Sequence, residues 1–310
     1  MGVTHHDASE EEQLLRGQLL RRPAGLIITG LDHNLVTRKL VERRQAPCGH
    51  LMDLPASGHA DAPYCVGFRQ TDAGAALTRH LLAQGRRRIA FAAAQLDACV
   101  MQWRYGWRIA LQEAGVHEPA LEWLNPAPSS LALGGVLFEQ IMQQRPAVGA
   151  VLFCNEDLAQ GALMAAWRLG IAVPSRMAIA GLNDLTGSDQ MLPTLTTVRT
   201  PRAQIGEAAA HMLLSLMRGE APARPQLDLG FEIAQRQSTC NRRSLQAAGP
   251  CRTLTSGNPV LKRVMLSASV SWRRRTVPAV QPDMWGVMST LSRDAKSNAD
   301  GAHSGCDGVG

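Results

Sequence analysis

The sequence predicts an α/β protein built on parallel sheet. Three observations carry this. Short apolar runs alternate with helical segments throughout the first 239 residues. The helical segments have roughly the 10–15 residues that a crossover between parallel strands uses. Several of the apolar runs also end in Asp, Asn or Arg, and in such sheets the loops after the strand C-termini hold the ligand.

The elements follow in order. SEEEQLLRGQLLRR (9–22) reads as a helix, with Ser9 as N-cap and Glu12 completing a capping box. Glu10 and Glu11 suit the positive end of its dipole, and Pro23 stops it. AGLIITG (24–30) reads as a buried strand, HNLVTRKLVERR (33–44) as a helix, and APCGHLMDLP (46–55) and YCVGFR (64–69) as strands. TDAGAALTRHLLAQG (71–85) is a helix closed by Gly85, and RRRIAFAAA (86–94) a strand. A helix over 98–115 ends at Gly115, and SLALGGVLFEQIMQQR (130–145) forms another. VGAVLFCN (148–155) is a strand, and EDLAQGALMAAWRLG (156–170) a helix closed by Gly170. MAIAGLND (177–184) is a strand and TLTTVRT (194–200) is extended. PRAQIGEAAAHMLLSLMRG (201–219) is a long helix with Pro at its start, and FEIAQRQST (231–239) is the last strand.

The regularity fails after residue 240. The remainder is rich in Pro, Gly, Ser and Arg, and SNADGAHSGCDGVG is too poor in apolar residues to build a core, so residues 240–310 are expected to be a basic, disordered tail. The whole formal charge of +6 belongs to it: ten of the 32 bases and four of the 26 acids lie there. The first 239 residues balance 22 bases against 22 acids, without the basic excess of a DNA-binding domain.

Several function classes are disfavoured. No run approaches the roughly 18 apolar residues of a membrane helix. The polar, acidic start does not resemble a signal peptide, so the expected location is the cytoplasm. The seven cysteines contain no C-x-x-C pair and read as free thiols. The histidines lack H-x-x-x-H spacing, and no G-x-G-x-x-G, P-loop or G-x-S-x-G stands in the chain. Neither a metal, a cofactor nor an enzyme activity is therefore expected.

The polar strand ends are Asp53, Phe68–Arg69, Asn155 and Asn183–Asp184. Carboxylates and amides gathered at one rim suit a polyol, because each can make two or more hydrogen bonds to hydroxyls. Asn155 can equally cap the helix behind it. No helix starts after Asp53, which favours ligand contact there.

At this point the motifs define a family. VGFRQTDAGAALTRHLLAQGRRRIAFAA, VLFCNEDLAQGALMAAWRLGIAVPSRMAIAGLNDL, LPTLTTVRTPRAQIGEAAAHMLLSLMRGE and FEIAQRQST resemble the effector-binding core of lactose-repressor-family (LacI/GalR) transcriptional regulators. With RRPAGLIITG and MDLP the match covers about residues 3–239, and RPAGLIITG, MDLP and TTVRTPRAQIG look like the gluconate-operon repressor branch.

The resemblance implies two Rossmann-like subdomains of periplasmic-binding-protein type I, with a sugar or sugar acid in the cleft between them. It assigns 1–69 plus 199–220 to the N-subdomain, and 70–197 plus 221–239 to the C-subdomain. It also implies a homodimer whose effector changes the grip of two headpieces on operator DNA. In the family a helix-turn-helix headpiece and a first strand precede the matched region, and the resemblance implies that both are expected to be absent here. The N-subdomain is therefore expected to be truncated, with AGLIITG on an open edge. The alternative expectation is a sugar-binding protein of the same fold without DNA output.

Carried over by position, Asp53 matches an acidic sugar contact, Phe68 a wall residue, Asn155 a hydrogen-bonding Asn and Asn183 a sugar-binding acid. Arg202 stands where others have an aromatic. One departure concerns the clamp. Many members place an Arg three residues before the helix glycine, whereas QWRYGWR puts Trp103 there with Arg104 beside it. Trp103 then either stacks on a sugar or fills core. Arg104 and Arg202 are the candidate cationic clamps for a sugar acid.

Overall fold

A computed structural model describes residues 2–4, 7–43, 46–55 and 63–240, and the expected tail beyond Cys240 lies outside them. Helix α1 (Ala8–Leu20) begins one residue earlier than its expected cap. Asp7, not Ser9, accepts the backbone N–H groups of Ser9 and Glu10, so the capping box around Ser9 and Glu12 does not form. Asp7 is the better acceptor because its carboxylate carries a charge that the helix dipole favours. Strand β1 (Leu26–Thr29), helix α2 (Leu35–Glu42), and strands β2 (Cys48–Leu51) and β3 (Tyr64–Gly67) follow as expected.

From there the chain runs through α3 (Gln70–Ala83), β4 (Ile89–Ala94) and α4 (Ala98–Glu113). A 3-10 turn at Pro119–Leu121 leads into β5 (Glu122–Asn125), then α5 (Leu131–Gln144), β6 (Ala150–Phe153), α6 (Glu156–Arg168) and β7 (Ala178–Asn183). Strand β8 (Thr196–Arg199), helix α7 (Arg202–Met217), β9 (Gln226–Asp228) and β10 (Glu232–Ala234) close the described part. Gly85, Gly115 and Gly170 stop α3, α4 and α6 with φ of +82°, +66° and +66°, as their helix-closing role predicts.

The described residues build two sheets. One is four-stranded and wholly parallel, in the order β1-β2-β3-β9, with α7 packed on β1, β2 and β3. The other is six-stranded, β10-β8-β7-β6-β4-β5, parallel except for the final β8–β10 pair. The chain crosses between them three times, after β3, after β8 and after β9. The third crossing corrects an expected boundary. Residues 221–228 return to the four-stranded sheet, where β9 pairs with β3, so the last passage follows Asp228 and not residue 220.

The six-stranded lobe holds most of the core. Every residue of β4 and β6 is buried, as sandwiching between two helix layers requires. Helices α3 and α4 touch backbone to backbone: a Cβ on Gly106 would lie 2.0 Å from the Thr71 carbonyl oxygen. The fully buried Trp107 meets Phe91 with ring centroids 5.9 Å apart. Each such side chain contributes about 1.5–3 kcal/mol from burial alone. In the four-stranded lobe β1 is a sheet edge, as expected, and Ile27 on it is 43% exposed.

Candidate ligand cleft

The C-terminal ends of β1 and β2 in one lobe, and of β4, β6 and β7 in the other, border a hollow of about 420 Å³. Four sequence-predicted residues line it together: Asp53, Trp103, Asn155 and Asn183. Phe68, Arg104 and Arg202 do not.

Asp53 follows β2 and is 8% exposed. Its position depends on Gly67 of the neighbouring strand, where a Cβ would come within 2.6 Å of the Asp53 backbone nitrogen. One carboxylate oxygen accepts from the Leu54 N–H at 2.8 Å, and the other from the Gln102 amide at 2.9 Å. Burial raises its pKa, against the lowering effect of these hydrogen bonds.

Asn155 serves both of its expected roles. Its side chain caps α6 by accepting from the Leu158 N–H at 3.1 Å, donates to the Ser129 hydroxyl at 2.7 Å, and still borders the hollow. Asn183 ends β7 with φ at +103°, a left-handed conformation that bends the chain at the rim. The Thr200 hydroxyl donates to its side-chain oxygen at 3.3 Å. Trp103 is 4% exposed and donates its indole N–H to Gln70 at 2.6 Å, so it is wall and core at once.

The three remaining candidates have other partners. Phe68 is buried in the first crossover against Phe231, with ring centroids 5.9 Å apart. Arg104 points toward β5, where Glu122 takes it at 2.5 Å. That acid stands on a strand too short to be read from its sequence. Arg202 stands just behind the rim and donates to the backbone carbonyls of Asn183, at 2.5 Å, and of Asp184, at 3.3 Å.

Sequence reasoning missed much of the wall. Asp7, Glu11, Asp32 and Asp97 join Asp53, giving five carboxylates and no Lys or Arg among the described lining residues. Asp97 was within reach as a helix cap, since it accepts from the Val100 N–H at 2.9 Å. Cys99 and Cys154 also line the hollow. Burial pushes both thiols up, that of Cys154 to about 12, which leaves them inert.

Behind Asn155 lies Glu156, wholly buried, its carboxyl pushed up to about 7 by burial. One oxygen accepts from the Thr197 hydroxyl at 2.5 Å and the Asp184 N–H at 2.7 Å. The other has no hydrogen-bond partner among the described residues. A protonated carboxyl tolerates that position better than a carboxylate.

Two αβ lobes joined by three crossovers, with a polar hollow at facing strand ends, define a ligand-binding protein of the periplasmic-binding-protein type. A model described as a periplasmic binding protein-like domain matches residues 78–239. The chain is 46% identical over 239 residues to the HTH-type transcriptional regulator GntR of Pseudomonas aeruginosa, covering 77% of this chain and 69% of that one. It is 34% identical over 224 residues to the regulator of the same name from Escherichia coli K12, covering 72% and 66%. The crystal structure of the transcription regulator GntR from Chromobacterium violaceum superposes with a TM-score of 0.74 at 47% identity, covering 77% of this chain and 86% of that one. A LacI-family regulator from Silicibacter pomeroyi follows at 0.71 and 28%, covering 77% and 87%. The chain belongs to the LacI family of transcriptional regulators and is of the GntR type. It spans about two thirds of the length of these curated relatives.

Proposed function

We propose that this chain senses a sugar or sugar acid in the hollow between its lobes and passes the binding event to a dimer. The carrying observation is the convergence of Asp53, Asn155 and Asn183, from three strand ends of two sheets, on one hollow. A carboxylate and two carboxamides offer acceptors and donors in the mixture that adjacent hydroxyls need. The role is binding and not catalysis, as for relatives named as regulators.

The wall constrains the ligand. Five carboxylates accept hydroxyls but repel an acid group. A sugar acid would therefore enter with its hydroxyls toward Asp53 and its carboxylate toward the Asn183 end, where Arg202 lies. Arg104, held by Glu122, has no part in this scheme. An exposed apolar face on α5 and α6, with Val136, Met164 and Trp167, supports association with a second copy. Operator recognition would rest with a helix-turn-helix headpiece of the kind named in the relatives, and the effector would act through the free-energy difference between open and closed lobes.

The test is calorimetry with a panel of neutral sugars, aldonates and their lactones. Saturable binding of one class is expected, weakened at least about tenfold in D53A, the loss of about 1.4 kcal/mol that one charge-assisted hydrogen bond supplies. Absence of binding across the panel refutes the reading. If aldonates bind and R202A leaves them unaffected, the proposed orientation is wrong.

A further inference from the structure

The two lobes meet at a small polar seam in which two glutamines, neither an expected ligand contact, engage the turn that carries Asp53. Met52 and Asp53 form the turn after β2. Met52 has φ at +71°, unusual for a residue with a side chain, and the Gly67 approach fixes the turn against β3. Two glutamines from the opposite lobe hold this turn. Gln70, the first residue of α3 and 2% exposed, donates its amide to the Met52 carbonyl at 2.5 Å. Its oxygen accepts from Trp103 at 2.6 Å. Gln102 on α4 donates to Asp53 at 2.9 Å.

The two contacts differ mechanically. Gln70 follows Gly67 by three residues, at the first crossover, so chain connectivity keeps it beside the first lobe in any arrangement. Gln102 has no such tether. Its neighbour Trp103 bonds to Gln70, but Gln102 itself reaches Asp53 across the two lobes, so that separation follows how the lobes lie. Gln70 is therefore placed as part of the pivot, and Gln102 as the part that can release.

We infer that the Gln102–Asp53 hydrogen bond is a latch that ties the two lobes together across the cleft mouth and so favours their closed arrangement, with Gln102 as a positioning residue for the ligand site. A carboxylate has about four acceptor positions, and Leu54 and Gln102 occupy two, so a ligand hydroxyl can join Asp53 without breaking the latch. The ligand then binds a cleft already biased toward closure. Its apparent affinity is the intrinsic one multiplied by the closed fraction, and the latch sets that fraction. This affinity consequence rests on the sensor reading above. The latch itself does not.

The test uses the full chain without ligand. Q102E places a carboxylate opposite Asp53, and Q102M removes the donor without adding charge. Expected at pH 7.5 are a larger radius of gyration by X-ray scattering and at least about tenfold faster hydrogen exchange at the Met52–Leu54 amides for Q102E, with a smaller change for Q102M. Lowering the pH to 5 should reverse the Q102E effect, because burial already raises the Asp53 pKa and two facing carboxyls can then share a proton. If Q102E fails to fold, Q102M alone decides. Identical scattering and exchange in wild type and the folded variants overturn the latch. With ligand, Q102M should bind about three- to tenfold more weakly. Failure of every variant and the wild type to bind would count against the sensor reading, while the ligand-free measurements still decide the latch.

Discussion

Both lobes are built on largely parallel sheet, but they are not stable in the same way. In the six-stranded lobe β4 and β6 are buried along their whole length, and helices lock by glycine contacts on both sides. In the four-stranded lobe β1 alternates between half-buried and exposed residues, and polar groups do much of the holding. Glu11 reaches His33 at 2.9 Å, His33 approaches His50 at 3.4 Å, and His50 meets the Gly30 carbonyl at 3.0 Å. Apolar packing is insensitive to small displacements of charge, whereas a hydrogen-bonded seam can exchange partners. The six-stranded lobe is therefore expected to be the more rigid of the two, and the four-stranded lobe the one that opens locally at lower cost.

Four measurements can break or sharpen this contrast. The largest effect is expected for Trp107→Ala, which empties a fully buried site in the six-stranded lobe and should lower unfolding stability by about 3–5 kcal/mol in urea. Ile27→Ala on the exposed edge should cost under about 1 kcal/mol, and equal losses would erase the distinction.

Next comes Glu156. Its folded pKa of about 7 stands above the ordinary 4.5, so between those values the native state holds more protons than the unfolded chain. Stability should therefore fall as pH rises from 4.5 to 7, by on the order of 2–3 kcal/mol, and level off above. E156Q should flatten that slope, and a slope unchanged by the substitution would refute the assignment.

His80, buried against the Thr239 hydroxyl at 3.0 Å, works in the opposite direction. Burial lowers its pKa from 6.5 to about 4, so the unfolded chain binds the extra proton and stability drops as pH falls through that range. His80→Gln should flatten this acid slope, and urea unfolding at pH 4 and pH 7 that shows the same slope in the variant would refute the assignment. The smallest effect is kinetic: backbone amides of β1 and β2 should exchange at least about tenfold faster than those of β4 and β6.

Much of this was legible in the sequence. The long helices and the apolar strands declare themselves by period, Asp53, Asn155 and Asn183 stand out as polar strand ends, and Trp103 is marked only by the family resemblance, at the place of a clamping Arg. Strands β5 and β9, with the sequences EWLN and QLD, escaped because so few residues show no periodicity and only their neighbours make them strands. That omission had consequences. Without β5, Glu122 had no assigned place, and Arg104 looked available as a clamp. Without β9, the return to the first lobe went unseen. Gln70 and Gln102 were invisible for another reason: each sits on a helix, and what it holds belongs to a distant turn.

The sheet that begins at Leu26 is completed only at Asp228. During synthesis its first three strands must wait, unfinished, while the ribosome makes the whole βα series of the other lobe. That series, β4 through β7, is contiguous and can assemble as it emerges. The six-stranded sheet gains its own edge strand later still, when β10 pairs with β8, so each sheet is complete only once the chain has left it and returned.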